Sequence, residues 1–141
     1  NNPEQRANSE YARNFQKPDS HKMLSAQALA GFVGKDEETR KRYIEAFENS
    51  SLNGMMSYYR ENYPREPYEE NAAQIPNAKM PVLQFHGLKD TALHHHGLNN
   101  TWEWLDADYT LVTIPQASHW AHHDAHEIVT DTMRWWLKAR Q

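Results

Sequence analysis

The spacing of apolar residues changes character past the middle of the chain. From Ala26 to about Tyr63 apolar positions recur at turn spacing, first in AQALAGFV, then in DEETRKRYIEAFENS, where Tyr43, Ile44 and Phe47 share a stripe, then in LNGMMSYYRENY. This predicts three or four short helices. Asp36 stands where an N-cap is wanted, with acidic residues next and Arg and Lys further along the helix. Gly54 and Pro64 are expected to punctuate the region. The following PREPYEENAAQIPNAKMP has the composition of a connector. Beyond it come VLQFHG, a compact apolar run closed by glycine, a helix-like NNTWEWLDA, a second run YTLVTIP, and an amphipathic helix near AHEIVTDTMRWWLKAR. The order reads β-α-β-α, without repeats.

Alternating strands and helices predict the α/β class, with parallel strands covered on both faces. Two such strands leave their outer backbone groups without partners, so further strands are expected from elsewhere, either another polypeptide or a second copy. The change of period divides the chain into a helical region, residues 1–75, and a β-α-β-α region, residues 76–141.

Composition narrows the function classes. The 141 residues include no cysteine, which removes disulfides and thiolate metal sites. Only 38% of residues are hydrophobic and mean hydropathy is -0.98, lean for a self-sufficient core. A net charge of -4 lacks the clustered Lys and Arg that phosphate binding requires, which argues against nucleic acid. No apolar run approaches membrane-spanning length. The opening NNPEQRANSE has neither a methionine nor an apolar signal region, so the start is expected to be a cut end. The chain reads as soluble, with the cytoplasm favoured, although absent cysteine also fits the periplasm.

Chemistry concentrates after the two predicted strands. HGLKD places Asp90 just past the first, and PQASHW places His119 just past the second. Ligands of open α/β sheets gather outside the carboxyl ends of strands, so an acid and an imidazole emerge at the same sheet edge. Singly, each has an ordinary reading: an Asp after a strand caps a turn, and a loop His is solvated. Together they suit a different task. A carboxylate accepting from one imidazole nitrogen fixes the tautomer and frees the other nitrogen as a general base.

MPVLQFHGLKDTAL, the Trp-rich segment after it and TLVTIPQASHWAHHDAHEIVTDTMRWWL resemble the C-terminal third of an α/β-hydrolase, in the epoxide hydrolase-like and haloalkane dehalogenase-like branch. The resemblance implies a partial α/β-hydrolase fold, a helical cap followed by the last two parallel strands and their helices. It makes Asp90 the acid and His119 the base. LNGMMSYYRENYPREPY resembles the cap segment that carries a ring-opening tyrosine, which is Tyr59 here. Tyr58 is the neighbouring substrate-side candidate, with an ordinary packing role as the alternative. Epoxide hydrolases commonly carry a second tyrosine in the segment matching EYARNFQKP; this chain has Asn14 there and Tyr11 one turn earlier. No G-x-S-x-G or equivalent Asp elbow occurs, so the nucleophile is expected on a missing N-terminal half and the chain alone is expected to be inactive. An Asp nucleophile implies epoxide or carbon-halogen chemistry through a covalent ester, and a Ser implies an esterase. No cofactor is implied. The rival from another class is a non-enzymatic module that oligomerises or binds through its exposed strand edges.

Nine histidines raise the question of a metal. His122 and His126 are spaced one helical turn apart, but two imidazoles are only half of a zinc site, and no H-E-x-x-H exists. No metal site is expected. The run His94, His95, His96 reads as a polar loop, with a substrate rim as the sharper alternative. At least one residue of each pair Trp102/Trp104 and Trp135/Trp136 is expected to face the core. Trp120 is expected to wall the pocket beside His119.

Overall fold

The structure, a computed structural model, describes residues 2–34, 36–68 and 75–141. In chain order its elements are α1 (Pro3–Asn8), α2 (Glu10–Phe15), a 3-10 turn Ser20–Met23, α3 (Ala26–Val33), α4 (Glu37–Glu48), α5 (Leu52–Asn62), β1 (Val82–Gly87), 3-10 turns His95–Leu98 and Thr101–Trp104, β2 (Tyr109–Ile114), α6 (Ala121–Asp124) and α7 (His126–Lys138). They form two units, Ser9–Glu70 and Asn1–Asn8 with Asn71–Gln141. The N-terminal residues group with the C-terminal half because the Gln5 amide clasps a loop there. It donates to Ala92 O at 2.8 Å and accepts from His94 N at 2.6 Å.

In the unit Ser9–Glu70, the starts of α3, α4 and α5 follow their capping side chains. Ser25 Oγ accepts from Ala28 N, Asp36 Oδ1 from Thr39 N and Ser51 Oγ from Gly54 N, at 3.1, 2.8 and 3.0 Å. Each satisfies one of the backbone donors that a helix start leaves open. Gly54 therefore does not break the chain but lies in the first turn of α5 and serves its cap. Pro64 does punctuate: Tyr63 ahead of it is extended, φ -83° and ψ 134°, because the proline ring disfavours helical geometry there, and α5 stops at Asn62. The α2 and α5 helices meet through aromatic rings. Tyr11 and Phe15, one turn apart, lie edge-on to Tyr59 at 6.0 and 5.1 Å between centroids. Gln16 closes the pair by donating to Tyr63 O at 2.7 Å.

The other unit holds the sheet. β1 and β2 pair in parallel from Val82↔Tyr109 to Gly87↔Ile114, so both strands end at one level. This small two-stranded parallel sheet is the one expected of a partial α/β-hydrolase fold. Its core is thin: Ile114, Ala117, Ala121 and Val129, with Phe85, Val112 and Ala125 packed against them. Helix α7 turns Val129 inward and anchors Trp136 by an indole hydrogen bond to Thr110 Oγ1 at 3.1 Å. Its Ile128, Met133, Trp135 and Leu137 are exposed, so the pair Trp135/Trp136 divides as expected.

Two expectations fail. The strands are only half-buried over most of their length, because a two-stranded sheet has little to cover it. Trp102 and Trp104 are both exposed, at 58% and 56%. Their segment is a four-residue 3-10 turn entered through Asn100 at φ 61°, too short to present an inner and an outer face. No helix among the described residues is long and apolar enough to cross a membrane.

Candidate active site

Because β1 and β2 run parallel and end together, the loops leaving them start side by side. Asp90 sits in a tight turn, its N–H donating to Gly87 O at 3.1 Å. Its Oδ1 accepts from the N–H groups of Ala92 and Leu93 at 2.7 and 2.9 Å, and its Oδ2 faces His119 Nδ1 at 2.9 Å. The Asp90 side chain is 5% exposed and that of His119 36%. Burial pushes the Asp90 carboxyl up, but the Leu93 N–H, the His119 ring and the Ala92 N–H outweigh it and hold the group below the usual carboxylate value. An ionised carboxylate only accepts, so Nδ1 donates and Nε2 of the neutral ring carries the lone pair. The buried acid orients the ring; the exposed ring offers the base.

The His119 loop has its own fixings. Lys89 N donates to Ala117 O at 2.9 Å, and Ala117 N to Ile114 O at 3.2 Å. Asp124 Oδ2 accepts both the Ser118 N–H, at 2.7 Å, and the Ser118 hydroxyl. Gly87 lies under this loop so closely that a Cβ there would stand 2.2 Å from Ser118 O and 2.5 Å from Ala117 O. Trp120 is half-buried and edge-on to the His119 ring at 5.0 Å. Sequence reading missed Asp124 and Gly87 as supports of this pair. HGLKD hints at the glycine, by placing it three residues before the acid, but Asp124 sits on a different element from Ser118.

In the helical unit, Tyr59 is half-buried among Tyr11, Phe15, Tyr58 and Tyr63. Burial, then the neighbouring Tyr58 and Tyr63, raise its phenol above the ordinary value, while a side-chain hydrogen bond with Tyr11 pulls it back. The phenol is therefore protonated and able to donate at neutral pH. Tyr58 is 64% exposed, its ring edge-on to Tyr59 at 5.5 Å. Tyr11, not Asn14, meets Tyr59. Asn14 is exposed and accepts from Lys17 Nζ at 2.7 Å.

The His122/His126 spacing is interrupted. Ala125, at φ -140° and ψ 49°, separates α6 from α7, so the two imidazoles are not on successive turns of one helix.

No family model matches the chain. No curated protein matches it either. Solved structures do. An epoxide hydrolase from Bacillus megaterium in complex with an inhibitor superposes with a TM-score of 0.84 at 22% identity, over 97% of this chain and 54% of that one. A variant of that enzyme complexed with its naphthyloxy-propane-1,2-diol product gives 0.83 at 22% identity over the same shares. An epoxide hydrolase of the α/β-hydrolase superfamily, from metagenomes of hot environments, gives 0.71 at 25% identity, over 96% of this chain and 52% of that one. The chain therefore has the fold of the α/β-hydrolases and spans about half the length of the epoxide hydrolases on which it superposes.

Proposed function

We propose that this chain is the cap and C-terminal part of an epoxide hydrolase-like enzyme that opens a small apolar epoxide through a covalent ester. The observation that carries the reading is the 2.9 Å contact between His119 Nδ1 and Asp90 Oδ2 where two parallel strands end. A carboxylate on the remainder of the enzyme attacks an epoxide carbon and the carbon–oxygen bond breaks. The Tyr59 phenol, partnered by Tyr11, gives its proton to the departing alkoxide, which otherwise stays strongly basic. His119 Nε2 then takes a proton from water, the hydroxide attacks the ester carbonyl, and the diol leaves with the nucleophile carboxylate restored; Asp90 stabilises the imidazolium until its proton returns, by way of water, to the Tyr59 phenolate. Trp120, edge-on to His119, offers apolar wall beside the base; Tyr58 is a separate substrate-side candidate in the helical unit. Tyr59 favours this chemistry over the esterase and dehalogenase alternatives, which have no use for a phenol that protonates an epoxide oxygen.

The remaining strands and the nucleophile are proposed to come from the N-terminal half of the hydrolase. Exposed Leu111, Ile128, Trp135 and Leu137 support a covering partner of this kind. The test is His119→Ala in the assembled enzyme. One round of attack proceeds and hydrolysis stops, so intact mass rises by the mass of one epoxide. Absence of any adduct with a panel of epoxides refutes the mechanism.

The same exposed apolar residues favour a second reading, a non-enzymatic module in which a second copy covers them. Size-exclusion chromatography with intact mass spectrometry separates the two: a homogeneous homo-oligomer of this chain supports the module, and a companion chain bearing a nucleophile elbow supports the enzyme.

A further inference from the structure

Three consecutive side chains normally diverge, since an extended chain alternates its faces and a helix fans its residues around an axis. At residues 94 to 96 they converge. His94 is extended, φ -69° and ψ 135°, and the chain then turns into the 3-10 segment His95–Leu98. The three imidazole centroids lie 4.2, 4.5 and 4.7 Å from one another. One ring nitrogen from each falls within 4.8 Å of the others.

The convergence is held by the segment around α1. Glu4 Oε2 contacts His94 Nε2 at 2.8 Å, Asn2 Nδ2 contacts His96 Nδ1 at 3.2 Å, and the Gln5 amide clasps the loop backbone. A further imidazole lies near the end of the first strand. His86, 8% exposed at the end of β1, has a buried Nε2 with no hydrogen-bond partner among the described residues. Three converging imidazoles suit one kind of guest, a soft-to-borderline cation that takes nitrogen lone pairs.

We propose that His94, His95 and His96 form a binding site for a divalent transition metal, with zinc as the reference ion. Imidazole suits zinc, copper and nickel, whereas calcium and magnesium want oxygen ligands. Nitrogens bound to one zinc at about 2.0–2.1 Å stand roughly 3.4 Å apart in a tetrahedron, so small ring rotations close the cluster. His94 enters through Nδ1, which now accepts the His96 N–H at a long 3.2 Å and gives up little. Its Nε2–H stays on Glu4, the carboxylate-histidine-metal arrangement that orients metal-bound imidazoles. Water completes the set. Such an ion ties the α1 segment to the loop after Asp90 and acts as a clip. It is separate from the hydrolytic reading above, which needs no metal.

Zinc chloride alone, titrated calorimetrically into the full chain, tests the site. One equivalent is expected to bind, to raise the thermal midpoint, and to leave on chelation. His95→Ala with His96→Ala, both exposed in the parent, is expected to weaken binding at least 100-fold, and Glu4→Gln about 10-fold, the lower end for losing an outer carboxylate. H122A/H126A is expected to bind as the parent does. Cobalt(II) reads the donor set without any variant, through visible ligand-field bands of nitrogen coordination in the parent. No saturable zinc binding, equal binding by H95A/H96A, or loss of binding in H122A/H126A overturns the proposal.

Discussion

Gly87→Ala probes the support beneath the candidate site with one methyl group. An ideal Cβ at Gly87 meets Ser118 O at 2.2 Å, Ala117 O at 2.5 Å and Ala117 C at 2.7 Å, all backbone atoms, where ordinary contact begins at 3.4 Å. No side chain can rotate away, so the His119 loop must lift by about 1 Å. A shift of that size stretches the 2.9 Å His119–Asp90 contact past hydrogen-bonding range. Overpacking costs about 1–3 kcal/mol. The stiffer unfolded chain offsets about 0.4–1 kcal/mol of that. Losing a charge-assisted bond open to solvent on one side adds about 1 kcal/mol. The net is a loss of about 2 kcal/mol, or about 1 M in urea midpoint at a slope near 2 kcal/mol/M. Urea denaturation measures the loss, and nitrogen-15 NMR of the His119 ring reports whether Nδ1 still donates. An alanine variant with the parent's midpoint and the parent's ring shifts refutes the close-approach argument.

Asp90→Asn tests the acid. Its folded-state carboxyl lies below the usual 3.8, so the ionised form contributes stability that is complete above that value and disappears as pH falls through the lower folded value. The stability gap between parent and variant is therefore expected to hold from pH 5 to 7 and to shrink below about pH 4. Denaturation curves across that range measure it, and a gap undiminished at the acid end contradicts the assignment. Asp124→Asn removes the charged acceptor of the Ser118 N–H and hydroxyl; a loss of about 1–2 kcal/mol with exchange-broadened His119 resonances is expected by NMR. Sharp, unshifted His119 signals count against Asp124 as a support.

The strands were legible because VLQFHG and YTLVTIP are apolar runs with strong turn residues at their borders, and they match Val82–Gly87 and Tyr109–Ile114. The juxtaposition of Asp90 with His119 was legible for the same reason: it follows from where two parallel neighbours end, with no need to know side-chain packing. The Trp segment misled because its helical composition lost to local turn geometry at Asn100. The placement of α1 was invisible, since it depends on Gln5 meeting residues nearly ninety positions away. The support from Asp124 depends on its carboxylate reaching back six positions to Ser118, and no periodicity encodes that contact.

The matched ends of β1 and β2 bear on how this chain tolerates length variation. The positions of the acid and the imidazole are set by the two strand ends, while the excursion between them returns to the start of β2 whatever its length. Lengthening a loop costs only a slowly rising closure entropy. Residues inserted at the exposed Asn99 and Asn100 are therefore absorbed on the surface. One residue inserted within either strand instead reverses every side chain beyond it. Indels between natural variants should accordingly gather in that excursion and spare the ladder.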